Sequence, residues 1–165
     1  IVSHAVQLSG TDCGVIYDDL YTDACVTVGV GLIKPAHQQF LTHVGKTLED
    51  TIRDVVKAGV RVGDISAFIE NDLKKGGFAA VRMLTGHGLG TTLHQFPDVP
   101  NVGKKGTGPV LPAGTMIAIE PIAVMGSPEV MTADDGWTVL TTDESLACHF
   151  EHSVLITESG CEVVA

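Results

Sequence analysis

The sequence predicts an α+β domain in which two helices pack on one face of a mostly antiparallel sheet. Three observations carry this. Apolar residues recur at three- and four-residue spacings between residues 35 and 75, the segments on either side read as short strands divided by turns, and no internal repeat or low-complexity tract interrupts that order. With 165 residues, 44% of them hydrophobic, the chain has material for one buried core, so a single domain over residues 1–165 is expected.

Residues 1–33 hold three strand-like runs: Ile1-Val2-Ser3-His4-Ala5-Val6, then residues 12–17, then residues 21–28. Asp18-Asp19 between the last two is a hairpin signal, because aspartate tolerates turn geometry. A hairpin closing there sets Asp12 and Asp23 close to opposite one another, where like charges repel unless a cation lies between them. Pro35 suits a helix start, and Phe40, Leu41, Val44, Leu48, Ile52, Val55 and Val56 form its core stripe, leaving His37 and His43 on a solvated face. Gly59 ends this helix. A second runs from about Asp64, with Ile65, Phe68, Ile69 and Leu73 inward, and Lys74-Lys75-Gly76-Gly77 closes it with cations and glycines suited to a helix C-terminus.

Residues 78–84 read as a short strand that delivers the chain to a glycine-dense loop, Thr85-Gly86-His87-Gly88-Leu89-Gly90-Thr91-Thr92-Leu93-His94-Gln95-Phe96-Pro97. Glycines there let backbone approach a ligand and aim an imidazole at it. Residues 97–112, rich in Gly, Pro and Lys, read as a surface loop. Residues 115–125, 137–141 and 148–157 read as strands, followed by the turn Glu158-Ser159-Gly160 and a last short strand at 162–164.

Charge and cysteine usage narrow the function. Lys+Arg 10 against Asp+Glu 20 gives a net charge of −10, which argues against binding nucleic-acid phosphates. Cys13, Cys25, Cys148 and Cys161 contain no CxxC pair and imply no disulfide framework, so a reducing cytoplasm suits the chain. No apolar run approaches the length of a membrane span and no signal peptide is visible. The first residue is Ile, which leaves processing or truncation upstream open.

Lone carboxylates stand inside apolar, strand-like runs at Asp12, Asp23, Glu120 (in Met116-Ile117-Ala118-Ile119-Glu120-Pro121) and Glu151 (in His149-Phe150-Glu151-His152). Buried carboxylates are costly unless something positive compensates them, and a metal ion is the usual compensation. Four carboxylates with His87 and no thiolate favour divalent Mn, Fe, Co or Zn in an open site. They also exceed what one divalent ion needs. Two ions sharing carboxylates would neutralise the set and could hold a hydroxide between them as nucleophile.

Asp12-x10-Asp23, Gly86-His87-Gly88-Leu89-Gly90 with His94 seven residues after His87, Ile119-Glu120-Pro121, Asp135-Gly136-Trp137-Thr138 and Phe150-Glu151-His152, in this order, resemble the methionine aminopeptidases of the pita-bread peptidase clan. The match runs over about residues 10–164. It is nearest the type I enzymes, because no long insertion separates His94 from Glu120. The resemblance implies a curved, mostly antiparallel sheet with helices on its outer face, and a dinuclear aminopeptidase acting on the N-terminal methionine of nascent chains. It implies Asp12, Asp23, His87, Glu120 and Glu151 as the ligands of two divalent ions, Asp23 and Glu151 bridging both. His94 is implied beside the scissile carbonyl as an oxyanion donor, and Glu120 as a proton shuttle from attacking water to leaving amine. Trp137, Leu93 and His149 fall at the substrate pocket.

The chain also departs from the pattern. Family members begin earlier, with a helix, a strand and a catalytic histidine for which His4 is the stand-in here, so a shortened form is expected. His149 stands where the family commonly has glutamine, and Leu84 and Leu93 replace aromatics. Two other readings are therefore carried: a non-catalytic pita-bread module that binds peptide N-termini, and an enzyme cleaving before proline. The expected partners are peptide N-termini, with no nucleic acid and no membrane, and self-association through an uncovered sheet edge.

Overall fold

The computed structural model describes residues 7–165, so the first expected strand, with His4, lies outside the described residues. The hairpin expected at Asp18-Asp19 is there. β1 (Gln7–Tyr17) and β2 (Leu20–Val30) pair antiparallel, and both turn aspartates take the left-handed conformation, at φ 50° and 61°, that a two-residue hairpin loop requires. Because that loop fixes the register, Asp12 faces Cys25 and Asp23 faces Gly14. The two carboxylates are thus diagonal neighbours on one face rather than directly opposed.

α1 (Pro35–Asp54) starts on Pro35 and buries Phe40, Leu41, Val44 and Leu48, the stripe read from the spacing. Thr47 and Thr51 share that face, their hydroxyls donating back to the His43 and Thr47 carbonyls at 3.0 and 2.6 Å. α2 (Val62–Lys75) begins two residues before Asp64, whose carboxylate accepts the Arg61 N–H at 3.1 Å and the Gly106 N–H at 2.9 Å. Those two hydrogen bonds, Gly106 first, hold its pKa below the ordinary value. Ile65, Ile69 and Leu73 are fully buried, and Gly77 leaves the helix at φ 82°. His43 is not on a solvated face. It is half-buried between the helices, its Nε2 2.9 Å from the Asp72 carbonyl and its ring 5.5 Å from that of Phe78.

The remaining strands are β3 (Ala79–Ala80), β4 (Thr85–Leu89), β5 (Gln95–Pro100), β6 (Met116–Ile119), β7 (Ile122–Val124), β8 (Val130–Thr132), β9 (Val139–Thr141), β10 (Ala147–His149), β11 (His152–Ile156) and β12 (Cys161–Val163). They form a five-stranded sheet in the order β12-β11-β6-β4-β5, a three-stranded sheet in the order β10-β7-β3, and a β8-β9 hairpin, all antiparallel. The helices pack against them around Phe40, Leu48, Ile65, Ile69, Leu73, Ile117 and Ile119.

Four expectations about this half of the chain change. The strand expected at 78–84 shrinks to two residues. The glycine-dense stretch is not a loop throughout: Thr85–Leu89 is an interior strand of the five-stranded sheet, between β6 and β5, and only residues 90–94 turn. Its glycines serve close packing of strands, since a Cβ on Gly86 would meet the Ala118 carbonyl oxygen and one on Gly88 that of Phe96. β5 reaches into the expected surface loop, and carries Pro97 and Pro100 because it is the sheet's edge, where a missing N–H costs no ladder bond. Finally, the long strands read at 115–125 and 148–157 are each broken at their carboxylate, where the chain passes between the five- and three-stranded sheets. Among the described residues, no helix is long and apolar enough to cross a membrane.

Candidate metal centre

Both breaks fall at the same level. Ile119 pairs with His152 and Ile122 with His149, so the intervening register brings Glu120 opposite Glu151. Pro121, with no N–H to donate, sits beside Glu120, and its carbonyl accepts the Phe150 N–H at 3.3 Å. β2 docks on the other side of Glu151: Glu151 N–H donates to the Cys25 carbonyl at 2.9 Å and Cys25 N–H to that of Glu151 at 3.3 Å. That contact brings Asp12 and Asp23, on the hairpin face of Cys25, toward the two glutamates. β4 supplies His87 from the neighbouring strand, buried like Asp23, Glu120 and Glu151, while Asp12 is exposed at the rim.

The structure thus gathers residues spread over the whole chain. Donor atoms of Asp23, His87 and Glu151 all lie within 4.8 Å of one another, and so do those of Asp12, His149 and Glu151. Glu120 joins both groups: Oε1 is 3.8 Å from His87 Nε2 and Oε2 is 3.3 Å from His149 Nε2. His149 Nε2 is also 3.5 Å from Glu151 Oε2, and His87 Nε2 is 4.0 Å from Asp23 Oδ2. His94, on the turn after β4, faces His87 edge-on with ring centroids 4.2 Å apart.

Electrostatically the cluster is overloaded with negative charge. Among the described residues, the ion-pair partners of these carboxylates are His87 and His149, with no lysine or arginine. Burial, and then the Glu120 and Asp23 carboxylates, push Glu151 up to about 8. Burial, and then Asp12, raise Asp23 as well. Burial pulls His149 down, but the adjoining Glu120 carboxylate, with Glu151 and Asp12, outweighs it and leaves the imidazole above its ordinary value. The 3.3 Å contact to Glu120 lacks the alignment of a hydrogen bond, so it acts through charge. Glu151 Oε1 is buried and has no hydrogen-bond partner among the described residues. An orphaned buried carboxylate oxygen among like charges fits a divalent cation, and the oxygen and imidazole donors suit a first-row ion.

An open cleft of about 700 Å³ leads to the cluster; its lining includes Asp12, Asp23, Glu120 and His149 together with Leu93, His94, Trp137 and Val139. Trp137 is 88% exposed, so core packing does not explain it. Three residues that the sequence reading passed over hold the site's backbone. Ser153 Oγ accepts the Asp23 N–H and donates to the Asp23 carbonyl, both at 2.7 Å. Thr27 Oγ1 does the same for His149 at 3.0 and 2.7 Å, and Asn101 Nδ2 donates to the Glu120 carbonyl at 2.9 Å. A signal was available for two of them: Thr27 and Ser153 are short polar side chains within apolar strands, whereas Asn101 follows β5; all three are buried.

The model of metallopeptidase family M24 matches residues 7–158. The chain belongs to metallopeptidase family M24. Membership of that family implies divalent metal ions, which the donor set described above fits. Within M24, the chain is 42% identical over 155 residues to a methionine aminopeptidase of Clostridium perfringens and 36% identical over 164 residues to methionine aminopeptidase 1 of Mycobacterium tuberculosis. These alignments take in 93% and 96% of the chain, but the chain spans only 61% of the length of either relative. The crystal structure of the Thermotoga maritima methionine aminopeptidase superposes with a TM-score of 0.92 at 40% identity, covering 94% of this chain and 62% of that one. The fold is therefore the pita-bread fold of M24. The prolidase of Pyrococcus furiosus, at 21% identity and a TM-score of 0.72, shares the fold alone.

Proposed function

We propose that this M24 chain is a single metallo-aminopeptidase catalytic domain that removes the N-terminal methionine of nascent polypeptides. The observation that carries the reading is the pair of overlapping donor groups that share Glu151 at the end of an open cleft. Two divalent ions, of cobalt, manganese, iron or zinc, would supply a water acidic enough to attack at neutral pH and a polarised substrate carbonyl.

The chain's own residues do the rest. Asp12, Asp23, His87, Glu120 and Glu151 would hold the ions, with Asp23 and Glu151 as the carboxylates available to both. His94, beside His87 and open to the cleft, donates to the scissile carbonyl oxygen as negative charge develops on it. Glu120 takes the proton from the attacking water and returns it to the leaving amine. Trp137 and Leu93, both lining the cleft, offer apolar surface to a thioether side chain. Four cysteines free of disulfides and a nascent-chain substrate both suit the cytoplasm.

The test is hydrolysis of a Met-Ala-Ser peptide by metal-stripped protein reloaded with Mn, Co or Fe, beside Leu-initial and Xaa-Pro peptides. Metal-dependent release of methionine alone is the expected result. Cleavage only of the Xaa-Pro peptide, or metal binding with no cleavage, would overturn the reading.

A further inference from the structure

The resemblance assigns the centre one imidazole, that of His87, and leaves His149 to the substrate pocket. The geometry brings two histidines to the carboxylates. His149 Nε2 is buried, lacks a hydrogen-bond partner among the described residues, and lies within 3.5 Å of oxygens from both Glu120 and Glu151. Its donor also completes a group with Asp12 and Glu151 that mirrors the group of His87 with Asp23 and Glu151. We propose that His149 is itself a metal ligand, binding through Nε2 the ion held by Asp12 and Glu151, so that each of the two ions carries one imidazole. The inference rests on the metal-centre reading given above.

Two features of this chain support it. The first is donor chemistry. A glutamine at this position offers a neutral amide oxygen, whereas a neutral imidazole nitrogen is a stronger donor to later first-row ions. The Asp12 group would otherwise be built from carboxylates alone, with Asp12 exposed to competing water. The second is rigidity. The Thr27 hydroxyl holds both backbone groups of His149, Cys25 Sγ lies 3.7 Å from its carbonyl oxygen, and β10 pairs His149 with Ile122 of β7. A ligand whose backbone is fixed from two sides loses little entropy on binding. Coordination would use the Nε2 lone pair of a neutral imidazole, any proton on that nitrogen passing to solvent.

Protein labelled with ¹⁵N-histidine and titrated with zinc distinguishes a ligand from a group that only pairs with Glu120 through charge. The expected result is that, at two equivalents, the Nε2 resonances of both His87 and His149 move to metal-bound shifts. A His149 Nε2 resonance that stays at its metal-free position with both ions in place would overturn the proposal. Calorimetric titration of His149→Gln and His149→Ala should show one binding step weakened about tenfold or more and the other retained. Two unchanged steps in both variants would overturn it too. Failure of the underlying reading has a different signature: wild-type protein that takes up no metal at all.

Discussion

Ser153 grips Asp23 by both of its backbone groups, accepting the N–H and donating to the carbonyl at 2.7 Å each. One hydroxyl on β11 thereby fixes the strand that carries a proposed bridging carboxylate, across 130 residues of sequence. Ser153→Ala leaves a buried donor and acceptor unpaired, which costs about 1–3 kcal/mol. Urea unfolding of the metal-free protein measures that loss. Because the ligand's position loosens as well, zinc affinity should fall about tenfold or more. A variant with wild-type stability and affinity would show that the clamp is dispensable.

Glu151 gives the metal-free protein a pH dependence of definite sign. Its pKa is raised to about 8 by burial and by the Glu120 and Asp23 carboxylates. Between the ordinary carboxylate value and about 8, the folded state binds a proton that the unfolded state has released. The stability this contributes is complete at acidic pH and is lost as pH rises through about 8, at up to about 1.4 kcal/mol per pH unit for one proton. Asp23 and His149, both raised, act in the same direction. The melting temperature of metal-free protein should therefore fall between pH 6 and pH 9. Saturating zinc should remove the decline, since the cation replaces the proton. A flat metal-free profile would contradict the charge balance described here.

Glu151→Gln separates the two roles of that side chain. A neutral amide resembles the protonated acid, so the variant should fold without metal at pH 7 and lose part of the alkaline decline. It should also bind fewer ions, because the shared negative charge is gone. Metal content after dialysis, measured by mass spectrometry, reads this directly, and an unchanged stoichiometry would reject Glu151 as a shared ligand.

Gly88 is needed for packing, not for loop freedom. A Cβ there meets the Phe96 carbonyl oxygen across the β4-β5 pair. Gly88→Ala should cost about 1–3 kcal/mol through backbone displacement and shift His87 with its strand. Thermal unfolding gives the first effect, and zinc titration the second.

Trp137 should show the opposite pattern. At 88% exposed it contributes little to the core, so Trp137→Ala should change stability by less than about 0.5 kcal/mol. If it lines the pocket, KM for a methionine peptide rises while metal binding stays the same. Equal KM values for variant and wild type would remove it from the pocket.

The sequence by itself determined the elements whose cause is local. The α1 stripe from Phe40 to Leu48, the α2 cap at Asp64 and the left-handed turn at Asp18-Asp19 follow from periodicity and backbone preference, which neighbouring residues alone dictate. It also supplied the lone carboxylates and His87, because a charge inside an apolar run stands out wherever the chain folds. Only the tertiary structure decided the rest. The breaks at Glu120 and Glu151 look like continuous strands in sequence, and arise because the chain changes sheets there. The glycines around His87 look like a loop until Ala118 and Phe96 crowd them. Ser153, Thr27 and His149 act across more than 100 residues, through contacts that exist only once β2, β10 and β11 are side by side. A donor set assembled from both ends of a chain is a property of strand register, and register is settled by the packing of the whole sheet.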